Sequence, residues 1–220
     1  MHIVTKKNKS NDALWTWLAL LFSLVLFFWS TSLALENKFF AGELELLTWV
    51  YDFSDTASDW LLVITNAGTT LLLIAVLIAL EVKRRYTLLL RTAVGAAITS
   101  MSVLFLKNII DRGRPQALLD LESRELFTLA SQGFPSGHTA LSAVIVFSLL
   151  QFVPKKFWPV LIAIPLLVGF SRLGLGIHLP LDVIGGFAIG ILVAIAVRLS
   201  TTSELFIRSH KRIASRIKKA

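Results

Sequence analysis

The sequence predicts an all-α membrane protein: a bundle of six transmembrane helices with a small extracytoplasmic cap and both termini in the cytoplasm. Three observations predict this fold. Hydrophobic residues make up 55% of the 220 residues and charged residues only 16%. The apolar residues form blocks long enough to cross lipid, at about 20 residues for about 30 Å of hydrocarbon. Basic residues are concentrated in alternate connections between the blocks, as they are in cytoplasmic loops.

Six apolar blocks account for the predicted helices. They cover residues 13–35, 60–80, 88–106, 139–153, 157–170 and 181–199. The ends of the fourth and fifth blocks are the hardest to place, because only the turn Pro154-Lys155-Lys156 separates them. A signal peptide competes for the first block. We expect a retained helix instead, because the block is longer than the usual apolar core of about 7–15 residues and no small-residue cleavage site precedes Glu36.

The charge distribution orients the predicted bundle. The N-terminal tail, the connection around residues 83–91, the Lys155-Lys156 turn and the tail from Arg198 hold 16 of 22 Lys and Arg residues but 3 of 14 Asp and Glu residues. The other connections hold 6 basic and 11 acidic residues. Both termini are therefore predicted in the cytoplasm. The same asymmetry explains the pI of about 10.1, so the basic C-terminal tail indicates anionic lipid head groups and not nucleic acid.

A single membrane domain is predicted at residues 13–199, between a cytoplasmic tail (1–12) and a basic cytoplasmic tail (200–220). In the first outer loop, Leu44, Leu47 and Tyr51 have helical spacing, which predicts an amphipathic helix in the membrane interface. An anchoring role is favoured over a lid. Residues 116–132 complete the predicted cap, with a short helix at 118–130. The sequence carries no signal for an oligomeric state.

Cysteine is absent. This excludes disulfides, thiolate metal sites and cysteine nucleophiles, and a zinc site would depend on the four histidines and the carboxylates.

A candidate anion-binding turn precedes the fourth block. Ser136, Gly137 and His138 follow Pro135 and lead into an apolar run, so we expect them in the first turn of a helix. The N–H groups at a helix N-terminus are unpaired and carry partial positive charge, so they bind anions such as phosphate.

Three cations are predicted at the same membrane face as this turn: Lys107, Arg114 and Arg172. Snorkelling at a helix end would account for any one of them. Three of them beside an anion-binding turn indicate a phosphate site.

The last outer connection contains a candidate nucleophile. Pro180 suits the first position of a helix, which places Asp182 in the first turn and His178 just before it. A carboxylate there can accept the ring N–H of His178, fix its tautomer and leave the other nitrogen free to attack. Alone, a histidine at an interface is more often structural, and Asp182 could be an N-cap. Their occurrence with the phosphate site on one membrane face favours catalysis.

Together these residues resemble the three-part signature of the type 2 phosphatidic acid phosphatase superfamily. The parts are Lys107 with Arg114-Pro115, then Pro135-Ser136-Gly137-His138, then Ser171-Arg172 with His178 and Asp182. No signature position departs from the family pattern. The soluble vanadium haloperoxidases share this site, but the six apolar blocks favour the membrane lipid-phosphatase branch.

The resemblance implies a phosphatase that needs no metal and no cofactor. It implies that His178 attacks phosphorus to form a phosphohistidine, that Asp182 holds His178, and that His138 protonates the leaving oxygen and later activates water. The implied phosphate-binding residues are Lys107, Arg114, Ser136, Gly137 and Arg172. Phosphoryl transfer depends on positioning and dispersed positive charge, which three cations and a helix N-terminus supply.

An outward-facing site suits a lipid phosphate or diphosphate whose tail stays in the plasma membrane. Undecaprenyl diphosphate is the leading candidate; phosphatidylglycerophosphate, phosphatidic acid, diacylglycerol pyrophosphate and the lipid A 1-phosphate are alternatives. A lipid phosphotransferase would use the same site. A non-catalytic anion or lipid transporter is disfavoured, because its charges should lie near the bilayer midplane.

Overall fold

The computed structural model describes residues 7–36, 38–115 and 132–202. Within these ranges the chain is helical and contains no strand, which confirms the predicted all-α class. The helices are α1 (Lys7–Leu35), α2 (Glu43–Phe53), α3 (Ser58–Asn66), α4 (Leu72–Val82), α5 (Tyr86–Ile109), α6 (Gly137–Leu149), α7 (Trp158–Gly174) and α8 (Pro180–Thr202). Short 3-10 turns lie at Asp55–Ala57, Leu150–Phe152 and Lys155–Phe157.

Five helical segments of the described chain are long and apolar enough to cross a membrane. They are Leu14–Leu35, Asp55–Val82, Tyr86–Ile109, Lys155–Gly174 and Pro180–Thr201. A sixth apolar segment, Gly137–Phe152, is shorter. At about 1.5 Å per residue it does not reach across about 30 Å of hydrocarbon. The multi-pass membrane character is therefore confirmed, whereas six full spans and their orientation stay predictions.

The second membrane segment is longer than its apolar block and has an internal irregularity. α3 and α4 are joined by one π-helical turn at Ala67–Leu71. In this turn Gly68 contacts α7 so closely that an added Cβ would overlap the Val168 side chain. Close packing against α7 therefore requires glycine at this position.

Helix α6 occupies the centre of the bundle and packs against α5, α7 and α8. An added Cβ on Gly186 would overlap the backbone oxygen of Ser136, and one on Gly190 would overlap that of Ala140. α8 thus lies backbone to backbone against α6. The two glycines therefore allow a close approach of α8 to α6. This central position agrees with the burial of most of its side chains, among them Thr139, Ser142 and Ser148.

The candidate site residues lie at one end of the bundle, and the start of α1 and the end of α8 lie at the other. At one end, Arg198 donates a hydrogen bond of 3.3 Å to the hydroxyl of Thr16, so the start of α1 and the end of α8 lie together. At the other end, the connections after α1, α5 and α7 meet. All of the described candidate catalytic and phosphate-binding residues lie at this second end.

Helix α2 lies where a helix was predicted in the first outer loop, whereas its placement in the membrane interface stays a prediction. Its inner face buries Leu47 and Val50 against Leu173 and Leu179. On its exposed face the rings of Trp49 and Phe53 stack at 5.6 Å. α2 is therefore packed onto the end of the bundle, and its role as an anchor or a lid stays a prediction.

Several boundary predictions fall on residues that the structure does not describe. The cap helix at 118–130 and the tail beyond residue 202 lie outside the described residues. α1 begins at Lys7, inside the segment predicted as an N-terminal tail. The division into tails and membrane domain stays a prediction.

Candidate active site

Helix α8 begins at Pro180, as predicted, and places His178 and Asp182 beside each other. The Asp182 Oδ2 atom accepts the Leu179 N–H at 2.9 Å and lies 3.4 Å from His178 Nδ1. Both side chains are buried. Gly176 has a φ of +67°, a left-handed conformation that glycine adopts without strain and that lets the chain turn between α7 and α8.

Helix α6 begins at Gly137, so Ser136, Gly137 and His138 lie at its N-terminus as predicted. The Ser136 N–H donates to the backbone carbonyl of Asp182 at 2.9 Å. The Ser136 hydroxyl accepts a hydrogen bond from Thr139 Oγ1 at 3.0 Å, which leaves its own proton available for donation to a ligand. The N-terminus of α6, the candidate anion-binding turn, and the first turn of α8 are therefore directly connected.

The cations predicted from the sequence surround the imidazole of His178. Burial lowers the pKa of His178 well below 6.5, and the positive charges of Arg172, Lys107, Arg114 and His138 lower it further. Desolvation and nearby positive charge both disfavour the protonated ring. His178 is consequently neutral at neutral pH, which is the form that can attack an electrophile.

Lys107 lies at the end of α5 and reaches across to the segment that precedes the α6 turn. Its Nζ atom donates to the carbonyl of Gln132 at 2.6 Å and is 3.4 Å from that of Gly133. It also lies within electrostatic range of Arg114, Arg172 and Asp182. The structure thus brings all eight predicted site residues to one end of the bundle, although their roles are not shown by position alone.

Two further charged residues belong to this cluster and were not predicted as site residues: Glu43 and Arg112. Arg112 Nη1 donates to Asp182 Oδ1 at 2.9 Å, and Arg112 Nη2 donates to Glu43 Oε2 at 2.9 Å. The Arg112 side chain is 1% exposed and both carboxylates are fully buried. A buried cation therefore bridges α2 to the aspartate beside His178.

The family model of the PAP2 superfamily matches residues 86–204, more than half of the chain. The chain belongs to the PAP2 superfamily. This result confirms the resemblance inferred from the sequence, and it covers every predicted site residue. Glu43 lies N-terminal to the matched region.

Curated relatives of this PAP2 chain include two with named activities. Phosphatidylglycerophosphatase B of Bacillus subtilis is 35% identical over 103 residues, which cover 42% of this chain and 48% of that protein. Undecaprenyl-diphosphatase of Sulfolobus acidocaldarius is 34% identical over 73 residues, which cover 33% of this chain and 35% of that protein. The chain therefore spans half or less of the curated relatives that it matches.

A solved structure supports the fold over a longer range. The crystal structure of Aquifex aeolicus LpxE superposes with a TM-score of 0.65 at 27% identity, covering 72% of this chain and 96% of that chain. The bundle described above therefore has the fold of this solved protein over 72% of the chain.

One sequence signal could have identified Glu43 in this PAP2 chain. Glu43, Leu47 and Val50 follow the i, i+4, i+7 spacing of one helix face, and that face is buried. A carboxylate among apolar residues on a buried face requires a buried partner. No comparable local signal distinguishes Arg112 from Arg114, because both lie in the short run Asp111-Arg112-Gly113-Arg114.

The described residues contain no group of three or more His, Asp or Glu side chains placed to hold a metal ion. Independence from metal stays a prediction, to be tested with a chelator.

Proposed function

We propose that this PAP2 protein is a membrane phosphatase that converts undecaprenyl diphosphate to undecaprenyl phosphate at the outer face of the plasma membrane. One observation carries the proposal: a buried His178–Asp182 pair lies among Lys107, Arg114 and Arg172 at the N-terminus of α6. A neutral imidazole within a ring of cations suits attack on a phosphoryl group.

The terminal phosphoryl group binds where the positive charges converge. Lys107, Arg114 and Arg172 contact its oxygens, and the Ser136 hydroxyl and the Gly137 N–H donate hydrogen bonds to them. These donors are preorganised at a helix N-terminus, so they stabilise the negative charge of the transition state without rearrangement.

In the first step His178 Nε2 attacks the terminal phosphorus. The bond between phosphorus and the bridging oxygen breaks, and His138 donates a proton to that oxygen. Undecaprenyl phosphate leaves, and His178 carries the phosphoryl group. Its Nδ1–H remains hydrogen-bonded to the Asp182 carboxylate, which stabilises the positive charge on the ring.

In the second step water attacks the phosphorus of the phosphohistidine. His138, now neutral, accepts a proton from this water, and the N–P bond breaks. Inorganic phosphate leaves, His178 returns to the neutral form and His138 is protonated again. The same histidine thus serves as acid in one step and as base in the next.

The choice of undecaprenyl diphosphate is supported by the name of the Sulfolobus relative, undecaprenyl-diphosphatase. Phosphatidylglycerophosphate is the second candidate, because the Bacillus relative is a phosphatidylglycerophosphatase B. Both substrates present a terminal phosphate on a lipid. The site can accept either while the apolar tail stays beside the bundle.

Phosphate release by the purified protein in detergent tests the proposal. Undecaprenyl diphosphate, phosphatidylglycerophosphate and phosphatidic acid are compared at equal concentrations, each with and without a chelator. We expect fastest release from undecaprenyl diphosphate, no loss with chelator, and no release by folded His178→Ala protein. Activity retained in His178→Ala, or strict metal dependence, would exclude this mechanism, and transfer of phosphate to a lipid in place of water would identify a phosphotransferase.

A further inference from the structure

The carboxylates of Asp182 and Glu43 are buried at the N-terminus of α8, and each of their four oxygens has a polar partner. Asp182 Oδ1 accepts from Arg112, and Asp182 Oδ2 accepts from the Leu179 N–H and faces His178 Nδ1. Glu43 Oε2 accepts from Arg112, and Glu43 Oε1 accepts the Leu181 N–H at 2.9 Å. Each carboxylate therefore has one orientation that satisfies all of its partners.

Arg112 is itself held in place from several sides. Besides its two carboxylates, Nη2 donates to the backbone carbonyl of Lys38 at 3.3 Å. The guanidinium lies 5.3 Å from the centre of the Phe39 ring, a distance that allows a cation–π interaction. A planar guanidinium held in this way presents Nη1 to a single position.

We propose that Glu43 and Arg112 are positioning residues that hold the Asp182 carboxylate in the orientation His178 requires, an inference that rests on the proposed function. Arg112 occupies Oδ1, so only Oδ2 is available to the imidazole. The His178 Nδ1–H tautomer is thereby selected, and Nε2 is the nitrogen that attacks. Helix α2, which lies outside the PAP2 match, is then part of the active site through Glu43.

Removal of the Glu43 charge changes the most stable hydrogen-bonding geometry of the Arg112 guanidinium. With one carboxylate left, the guanidinium can turn both of its terminal nitrogens towards Asp182, because bidentate pairing is the strongest form of this contact. Oδ2 would then be shared with Arg112 and withdrawn from His178. The imidazole would lose the acceptor that fixes its tautomer.

A purely structural salt bridge predicts a different result. Breaking a buried ion pair lowers stability, but it would leave turnover per folded molecule and the His178 tautomer unchanged. A positioning role predicts a loss of kcat with an unchanged KM, since the phosphate contacts remain intact. The split between kcat and KM therefore separates the two roles.

The experiment compares Glu43→Gln with the wild type and with Glu45→Gln. Glu45 is exposed and lies on the same helix, so Glu45→Gln is a matched control for loss of a charge on α2. We expect kcat for phosphate release to fall about 10- to 100-fold in folded Glu43→Gln protein, by analogy with the loss of a residue that orients a metal-bound histidine. KM should change less than about twofold, and Glu45→Gln should match the wild type.

A second measurement does not depend on turnover. The chain contains 4 histidines, so protein labelled with 15N at histidine has few imidazole signals, and His178→Ala identifies those of His178. We expect a single Nδ1–H tautomer in the wild type and in Glu45→Gln, and a tautomer mixture in Glu43→Gln. Arg112→Lys, which keeps the buried charge but not the forked geometry, should give the same mixture.

The inference is overturned if folded Glu43→Gln keeps the kcat of the wild type, or if its His178 tautomer is unchanged. It is also overturned if neither Glu43→Gln nor Arg112→Lys folds, since the bridge would then be required for folding and not for positioning. Failure of the proposed function looks different: the wild type would release no phosphate or His178→Ala would remain active, while the tautomer comparison could still be made.

Discussion

The backbone N–H of Ser136 donates a hydrogen bond of 2.9 Å to the backbone carbonyl of Asp182. This bond joins the N-terminus of α6 to the first turn of α8, which carries Asp182, the residue beside His178. The contact is possible because Gly186, one turn further along α8, has no side chain where the Ser136 carbonyl lies. The distance between the N-terminus of α6 and the His178–Asp182 pair thus depends on a contact between two helix backbones.

The substitution Gly186→Ala should therefore damage both stability and activity. Its Cβ would overlap the backbone oxygen of Ser136, which cannot rotate away as a side chain could. We expect a loss of about 1–3 kcal/mol in the free energy of unfolding, as for other overpacked cores. Thermal unfolding in detergent and kcat/KM for phosphate release measure the two effects.

Gly95→Ala is the control for this substitution. Its Cβ would lie 3.2 Å from a methyl carbon of Val144, and that side chain can move by a few tenths of an ångström. We expect it to change stability by less than about 1 kcal/mol. Equal behaviour of the two variants would show that the Ser136–Asp182 spacing does not depend on Gly186.

The parts of the fold and site that depend on local sequence were predictable. Apolar block length predicted the five long apolar segments, and Pro180 predicted the start of α8, because each signal lies within one contiguous stretch of sequence. The helix start at Gly137 followed from the Pro-Ser-Gly-His order in the same way. The predicted starts of α6 and α8 were sufficient to predict His178, Asp182 and His138 at the same end of the bundle.

The Glu43–Arg112–Asp182 bridge depends on contacts between distant parts of the chain. Arg112 lies 69 residues from Glu43 and 70 from Asp182 in sequence, and no local pattern specifies which cation enters the interior. The π-helical turn at Ala67–Leu71 was not predicted for the same reason. It lies where Gly68 packs against Val168 of α7, a contact between distant parts of the chain.

The activities of the His138→Ala and His178→Ala variants should depend differently on the leaving group of the substrate. If His138 donates the proton to the leaving oxygen, His138→Ala should lower kcat for a lipid phosphate about 100- to 10,000-fold. A phosphate ester with a weakly basic aryl leaving group needs no proton, so His138→Ala should recover much of its rate of phosphohistidine formation with such a substrate. His178→Ala should remain inactive with both substrates. Equal losses for both substrates in His138→Ala would contradict the role of proton donor.

The pH dependence of kcat/KM should report the lowered pKa of His178. Protonation removes the nucleophile, so activity should fall only as the pH drops well below 6.5, the ordinary value for histidine. This fall is the acid limb of the profile. At higher pH, loss of the His138 proton should lower activity again, which gives a bell-shaped profile. Among the charges that lower the pKa of His178, Arg172 contributes most.

Arg172→Gln removes that charge and should raise the pKa of His178 towards 6.5. The acid limb of kcat/KM should move to higher pH, even though overall activity is lower. Lys156→Gln, at the opposite end of the bundle, should leave the limb in place. Measurement of all three proteins with one substrate cancels the ionisation of the substrate, and an unshifted limb in Arg172→Gln would exclude His178 as its origin.

The absence of cysteine allows the membrane orientation to be tested without background labelling. Thr56 is exposed near the active-site end, where neighbouring Ser54 contacts Gly174. Thr87 is exposed at the opposite end, in a cavity that Thr201 also lines. Single cysteines at these positions therefore report on opposite faces of the membrane.

An extracytoplasmic active site predicts that a membrane-impermeant maleimide labels Thr56→Cys in intact cells. Thr87→Cys should react only after the membrane is permeabilised, because the basic residues beside it predict a cytoplasmic location for that end. The parent protein, with 0 cysteines, should remain unlabelled throughout. The reverse pattern would place His178 in the cytoplasm, where lipid diphosphates exposed on the outer leaflet could not reach it, and would exclude the proposed reaction at the outer face.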